Sequence, residues 1–251
     1  MSETRAGRLA HIALRPAEQI PALFVNRAAR PQQIVDALAL PTPRGLLILN
    51  GGTARLEPER ERRLAQTLQE GLACVVGQER LTVITGGTDA GIFQVFGAGL
   101  GRWGRTAPCI GVSVAALVTW PGKPTGDAPL EPHHSHFVLV EGEHWGDETE
   151  TMYGLAAELG RQCPSVVIFA GGGEITIHEM QMSVALGWPL VLLAGSGRAT
   201  DQVLAARSGL AVDDPRLVEI ARQGNIFPFD LSEPPAALHA LLRRLIGVSL
   251  P

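Results

Sequence analysis

The sequence predicts an α/β protein built on an open, mostly parallel sheet with helices on both faces. Three observations lead there. Short runs of branched apolar residues alternate with segments of helical period. The runs are apolar at nearly every position, as in strands covered on both sides. Three of them end in glycine pairs or triplets just where a helix is due.

The elements follow in order. His11–Leu14 and Ala22–Val25 read as an edge hairpin, and Pro31–Leu40 as a short helix feeding the first core strand. That strand is Leu46–Leu49 (LLIL), which runs into Asn50-Gly51-Gly52-Thr53. Pro58 suits the first position of a helix, and Leu64, Leu68, Leu72 and Val75 recur at helical spacing behind it. Leu81–Ile84 is the second core strand and ends in TGGTDAG, with a glycine-rich helix expected near Gly91–Leu100. Cys109–Val114 is a strand, the proline-rich Trp120–Pro132 a loop, and His136–Val140 a strand again. Gly146–Gly160 reads as a helix, with Asp147 as N-cap and Glu150 three residues on in a capping-box arrangement. Val166–Ala170 is a strand that runs into GGGEITIHE, and Thr176–Leu186 a helix. Leu190–Leu193 (strand), Thr200–Arg207 (helix), Asp214–Arg222, an isolated Ile226–Phe229 segment and a last helix Pro235–Ile246 complete the chain. Residues 1–44 are expected to be an extension packed on a core domain of residues 45–251.

Composition excludes several classes of function. A chain of 251 residues removes about 72% of its unfolded surface from water on folding, enough for one core without staples. The formal net charge is -4, Lys123 is the only lysine, and aromatic residues make up 5% of the chain. A nucleic-acid partner, which calls for a basic field or a stacking platform, is not expected. Cys74, Cys109 and Cys163 form no CxxC pair, so a zinc–thiolate site is disfavoured and a reducing compartment is the simpler reading. Residues 1–15 carry charges and no apolar core of signal-peptide type, and Val166–Ala170 and Pro189–Ala194 are too short to cross a bilayer. The expectation is a cytoplasmic protein with no membrane partner.

Ligands of open α/β sheets bind outside the carboxyl ends of the strands. The glycine turns Gly51-Gly52-Thr53, Gly86-Gly87-Thr88 and Gly171-Gly172-Gly173 should all lie there. Each would let the backbone bend sharply and approach a ligand, with the N–H groups of the next helix behind it. Together they predict an anion cradle for phosphate or diphosphate, and Gly91 continues the second turn. Neither GxGxxG nor GxxxxGK[ST] occurs, which disfavours a nicotinamide enzyme and a P-loop NTPase, and no GxSxG elbow is present.

In Gly171–Glu179 the first helical turn can direct N–H groups and the Thr176 hydroxyl at a phosphate, with Glu179 one turn further on, at the sugar end. Glu174 and His178 share a face and need be no more than a surface contact. In His133-His134-Ser135-His136, strand alternation puts His134 and His136 on one side and His133 on the other. His134 and His136 are candidates to donate to a phosphate or ribose, or to hold the neighbouring loop. A metal would need a third ligand such as His144, Glu141 or Asp147 at no recognised spacing, so neither a metal nor a cofactor is expected. Asn50 can anchor a loop or meet the ligand, and Asp147 and Glu148 can cap a helix or accept ribose hydroxyls. Trp103, Trp120 and Trp145 are candidates to stack on a base, with Trp120 and Trp145 the better pair.

LLILNGGT at 46–53, TGGTDAG at 85–91, IGV at 110–112, HHSHFVLVE at 133–141 and a glycine-rich strand end near 166–173 occur in that order. The arrangement resembles the nucleotide-binding domain at the cytoplasmic N-terminus of melastatin-type TRP channels, in particular its free-standing prokaryotic form. That domain belongs to the SLOG superfamily, together with the lonely-guy cytokinin phosphoribohydrolases. The resemblance spans roughly residues 40–230. It implies a Rossmann-like sheet and a SLOG-like domain over 45–251 that binds a nucleotide-derived ligand such as ADP-ribose or cyclic ADP-ribose. The hydrolase branch carries PGGxGTxxE. Here Gly171 stands for the proline, Gly172 and Gly173 match the glycine pair, and Glu174 is the free position. Ile175 replaces the later glycine, while Thr176 and the catalytic glutamate, Glu179, match. The resemblance therefore admits a second function, N-glycoside or phosphoribosyl hydrolysis with Glu179 stabilising a ribosyl cation or orienting water. The arginine of that chemistry has three unassigned candidates in Arg102, Arg105 and Arg198. A structural or partner-binding domain with a degenerate crevice is the third possibility. The related hydrolases imply a homodimer.

Overall fold

The run Leu46–Leu49 is apolar at every position because its strand is covered on both faces. Leu46 and Ile48 enter one core, and Leu47 and Leu49 the other. The computed structural model describes residues 2–52 and 57–247, and among them ten strands form one sheet. In chain order these are β1 (Ser2–Glu3), β2 (Gly7–Ile12), β3 (Ile20–Val25), β4 (Leu46–Gly52), β5 (Thr82–Thr85) and β6 (Cys109–Val114), and then β9 (His136–Val140), β10 (Ser165–Gly171), β11 (Pro189–Ala194) and β12 (Asn225–Asp230). Between β6 and β9 the proline-rich loop holds a small parallel pair of its own, β7 (Val118–Thr119) and β8 (Ala128–Pro129).

The spatial order is β1-β2-β3-β9-β6-β5-β4-β10-β11-β12. Every pairing from β3 to β12 is parallel, and β1, β2 and β3 add an antiparallel edge. The isolated apolar segment near Ile226 is thus the last strand of the sheet, paired with β11. From β4 the chain works outward through β5, β6 and β9, then crosses back to β10 and works outward the other way. The β4/β10 boundary is the point where strand order reverses, and Gly171 pairs there with Gly52.

Helices cover both faces. On one side lie α1 (Pro31–Ala37), α5 (Thr149–Leu159), α6 (Glu174–Ala185), α7 (Arg198–Arg207) and α8 (Pro215–Gln223), packing Ile34, Leu155, Met180, Val203 and Leu217 on the sheet. On the other lie α2 (Pro58–Gln66), α3 (Ala73–Glu79), α4 (Gly91–Trp103) and α9 (Pro235–Leu245), packing Leu64, Val75, Phe96 and Leu238. A π-helical stretch, Thr67–Leu72, joins α2 to α3. Its carbonyls find side-chain donors: Trp103 Nε1 donates to Gln69 O at 2.9 Å and His239 Nε2 to Glu70 O at 3.0 Å. Trp103 is therefore used on the α3–α4 side of the molecule.

One helix start differs from expectation. α5 begins at Thr149 with Glu148 as its N-cap residue. Asp147 turns back instead, and its Oδ2 accepts the Glu143 and His144 N–H groups at 2.9 and 3.0 Å and pairs with Arg27. Two N–H groups and a guanidinium outcompete a cap for that carboxylate. No helix among the described residues is long and apolar enough to cross a membrane.

Candidate functional site

A crevice of about 620 Å³ opens at the carboxyl ends of β4, β5 and β10, beside the switch point. Its floor is made by Gly51, Gly52 and Gly86, and its sides by the starts of α4 and α6 and by the segment leading into α5. The glycines divide into two kinds. Gly172 has φ +87°, and a Cβ there would overlap the Thr176 side chain, so this glycine serves the turn itself. Among the described residues a Cβ on Gly52 would meet only ordinary contacts, the nearest at 3.6 Å, so among them its missing side chain leaves space in the crevice.

Two helix amino termini point into that space. Gly91, Ile92 and Phe93 open α4, and Glu174, Ile175 and Thr176 open α6, all six lining the crevice. Their N–H groups have no intrahelical acceptor and carry the positive end of each helix dipole. The next loop is tied to this wall: Gly171 N–H donates to Ser196 Oγ at 2.8 Å and Thr200 Oγ1 to Gly171 O at 2.9 Å. Asp201 closes that loop by accepting from Gly195 N at 2.8 Å and Gly197 N at 2.9 Å. Arg198 then takes a left-handed backbone, φ +52°, rare for a residue with a Cβ. Its guanidinium lies 3.6 Å from where a Gly173 Cβ would stand. Among the described residues it has no ion-pair or hydrogen-bond partner. Arg102 faces Glu70 instead, and Arg105 holds Glu18 and the His133 carbonyl.

The lining is also acidic and aromatic. Trp145, Glu148 and Met152 belong to it, and Glu179 reaches in from the second turn of α6. Glu179 is 7% exposed, and no hydrogen bond reaches its carboxyl oxygens from the described residues. Burial pushes its pKa well above the usual carboxylate range, and the Glu148 charge adds to the rise. Burial raises Glu148 too, against the pull of its own N–H and that of Gly146, which donates to Oε2 at 2.8 Å. The backbone of Glu179 is anchored by a buried chain: Asn50 Nδ2 donates to Tyr153 Oη at 2.7 Å, Tyr153 Oη to Ser183 Oγ at 2.9 Å, and Ser183 Oγ to Glu179 O at 2.8 Å. Asn50 thus lies beneath the crevice floor, its Oδ1 buried without a partner among the described residues. The site can accordingly hold an anion at the helix amino termini, and accept hydroxyl donors or pass a proton at its carboxyls.

The sequence profile of the family described as "SLOG in TRPM, prokaryote" matches residues 44–240. The chain belongs to this family. It is also similar to transient receptor potential cation channel subfamily M member 2 of Rattus norvegicus, 24% identical over 238 residues, and to that of Mus musculus, 25% identical over 238 residues. Each alignment covers 78% of this chain and 15% of the channel, so the chain spans a small fraction of these relatives' length. The family match begins just before β4 and ends in α9, so it takes in every crevice wall of this SLOG domain and leaves out the β1–β3 hairpin.

Of the residues expected at the site, the SLOG crevice brings together Gly51, Gly52, Gly86, Thr88, Gly91, Gly173, Glu174, Thr176 and Glu179. Gly87, Gly171 and Gly172 shape the turns behind it, and Thr53 lies outside the described residues. Glu174 lines the mouth while its carboxylate pairs with Arg216. His134 is fully buried, bridging Glu131 and Thr85. His136 opens β9 at its amino end, bonded to Ser135, and burial beside Arg105 lowers its pKa to about 4. Trp120 packs on Phe24 and under the Lys123 ammonium, which leaves Trp145 at the crevice. Among the described residues no group of three or more His, Cys, Asp or Glu side chains could hold a metal ion.

Sequence reasoning missed Asp127, Ala128 and Met152, and with them Ile92 and Phe93 at the start of α4. The first two arrive from the proline-rich loop, folded over by Lys123, whose Nζ donates to the Ala116, Val118 and Thr125 carbonyls. Nothing local to Asp127 signals that. Met152 sits four residues after Glu148, one turn along the same helix face, and that spacing could have found it.

Proposed function

We propose that the crevice binds a nucleotide-derived ligand, with ADP-ribose or a cyclic relative as the first candidates. The observation that carries this reading is the convergence of two helix amino termini on one crevice that Trp145, Glu148 and Glu179 also line, with the Arg198 guanidinium beside Gly173 at its edge. Phosphates belong between α4 and α6, where unpaired N–H groups await acceptors. Ribose hydroxyls donate to the carboxylates, and Trp145 offers a face for a base. An acidic chain binds an anion here because the cradle is backbone and local. The family match supports a nucleotide-related role.

The test is a thermal-shift titration with ADP-ribose, cyclic ADP-ribose, NAD, AMP, ADP and inorganic phosphate. At a hundredfold excess over Kd, mass action adds about 2.7 kcal/mol, which is a rise of about 5 °C for a chain of this size. A shift with one ribonucleotide and none with phosphate supports the reading, and a flat panel defeats it.

One observation favours hydrolysis as a second reading. A buried carboxyl held above the ordinary range, unpaired and facing the crevice, suits proton transfer or stabilisation of a ribosyl cation. Release of free base by the wild type and not by Glu179→Gln would establish it. Unchanged ligand after long incubation with the wild type leaves a binding module.

A further inference from the structure

The Gly86-Gly87 turn that launches α4 has both carbonyls and the Gly87 N–H committed inside the protein. Gly86 O accepts from Ser113 Oγ, Gly87 O accepts the Glu131 N–H at 2.9 Å, and Gly87 N–H donates to Thr85 Oγ1 at 2.9 Å. Gly87 is therefore bound inward, and the turn aims the amino terminus of α4 at the crevice. Thr85 Oγ1 is in turn bonded to His134 Nε2 at 2.8 Å, and His134 Nδ1 donates to Glu131 Oε2 at 2.7 Å. Glu131 is 1% exposed and also takes both the N–H of His133, at 2.9 Å, and its Nδ1, at 2.6 Å.

The same cluster grips the helix. A Cβ at Gly97 would overlap the Glu131 carboxylate, and one at Gly101 would lie 2.6 Å from His133 Nε2. Gly97 and Gly101 stand four apart, so one face of α4 is hollowed to receive Glu131 and His133. The histidine segment thus fixes both the turn before α4 and the flank of α4.

We propose that Thr85, His134 and Glu131 form a buried relay of positioning residues that holds the amino terminus of α4 at the crevice in register for the ligand's anionic group. The inference rests on the binding role proposed above for its consequence, and on the hydrogen bonds alone for its geometry. Burial disfavours a charge on His134, but Cys109 and the Glu131 carboxylate outweigh it and raise the pKa to about 10. Thr85 Oγ1 accepts the Gly87 N–H, and its bond to His134 Nε2 links that turn to Glu131.

Removing His134 would leave the buried Glu131 carboxylate with only its His133 bonds and open a cavity, which threatens the fold. Thr85→Val keeps shape and deletes only the relay's end, and Thr85→Ser restores the oxygen. Hydrogen exchange on the full-length, ligand-free protein is compared for residues 86–93 and for β10. Thr85→Val removes both hydrogen bonds of Thr85 Oγ1 and is expected to speed exchange in 86–93 by at least about tenfold, with β10 unchanged and Thr85→Ser close to wild type. Affinity for ADP-ribose should fall by a similar factor in Thr85→Val and recover in Thr85→Ser. Equal acceleration in both segments, or none in 86–93, overturns the relay. If the wild type binds none of the nucleotides, the binding role fails, and the exchange comparison still decides the relay.

Discussion

Glu179→Gln should make the protein more stable at neutral and alkaline pH, although it alters a central residue of the candidate site. The carboxyl is buried, lies near the Glu148 charge and receives no hydrogen bond from the described residues. Its folded pKa is therefore raised above its unfolded value. Above the unfolded pKa, near 4.5, the folded state holds a proton that the unfolded state releases. Stability contributed by that proton is full below the unfolded pKa and is lost as pH rises towards the folded pKa. The loss runs at about 1.4 kcal/mol per pH unit within that window. For 251 residues the unfolding entropy is about 0.5 kcal/mol/K, so each unit corresponds to about 2–3 °C in Tm. Glutamine is neutral throughout. The variant's Tm advantage should therefore be small at pH 4.5, grow along that slope, and level off once pH passes the wild-type folded pKa. Differential scanning from pH 4.5 to 9 measures it. A pH-independent difference, or a variant that loses stability relative to wild type as pH rises, would refute a raised pKa and with it the case for Glu179 as a proton carrier.

Three further predictions follow from the same geometry. Gly172→Ala should cost at least about 2 kcal/mol in chemical denaturation, because φ is +87° and the new Cβ overlaps Thr176, whereas Gly52→Ala should unfold like the wild type while weakening ADP-ribose binding by calorimetry. Arg198→Gly relaxes a left-handed residue and should add up to about 1 kcal/mol of stability, yet lower ADP-ribose affinity and flatten its salt dependence. Tyr153→Phe breaks the bridge between Asn50 and Ser183 and should cost about 1–3 kcal/mol, read as a shift in denaturant midpoint with unchanged m-value.

Much of the fold was legible because parallel strands buried on both faces cannot hide. LLIL at 46–49 and SVVIFAG at 165–171 have no polar side to disguise them, and the glycines that end them mark the carboxyl edge. The crevice followed, since the edge with the glycines is the edge where such sheets bind ligands. What sequence could not supply was which polar groups were already committed. Gly87 looked as available as Gly52, yet its N–H belongs to Thr85. His134 and Glu131 are brought together with Thr85 by a contact 49 residues long in sequence, and no local pattern encodes that. Trp120 and Trp145 were indistinguishable until Phe24 and Lys123 claimed the first.

The distribution of charge argues for a ligand with two chemically different ends. A site for bare phosphate needs only donors, and buried carboxyls facing it would repel the anion. Here the amino-terminal donors of α4 and α6 share the crevice with the carboxyls of Glu148 and Glu179, and Arg198 stands beside Gly173 at its edge. Keeping Glu179 unpaired lowers the protein's stability above its unfolded pKa, a cost that hydrogen bonds from the chain itself could have removed. A ligand with hydroxyl groups a sugar's length from its phosphates supplies those bonds on binding and leaves the anion with the helices. The pKa of Glu179 should then fall on complex formation, and binding should release a proton at a pH below its free value. Calorimetry of ADP-ribose binding in buffers of different ionisation enthalpy reads this proton count directly, and uptake instead of release would place the hydroxyls elsewhere.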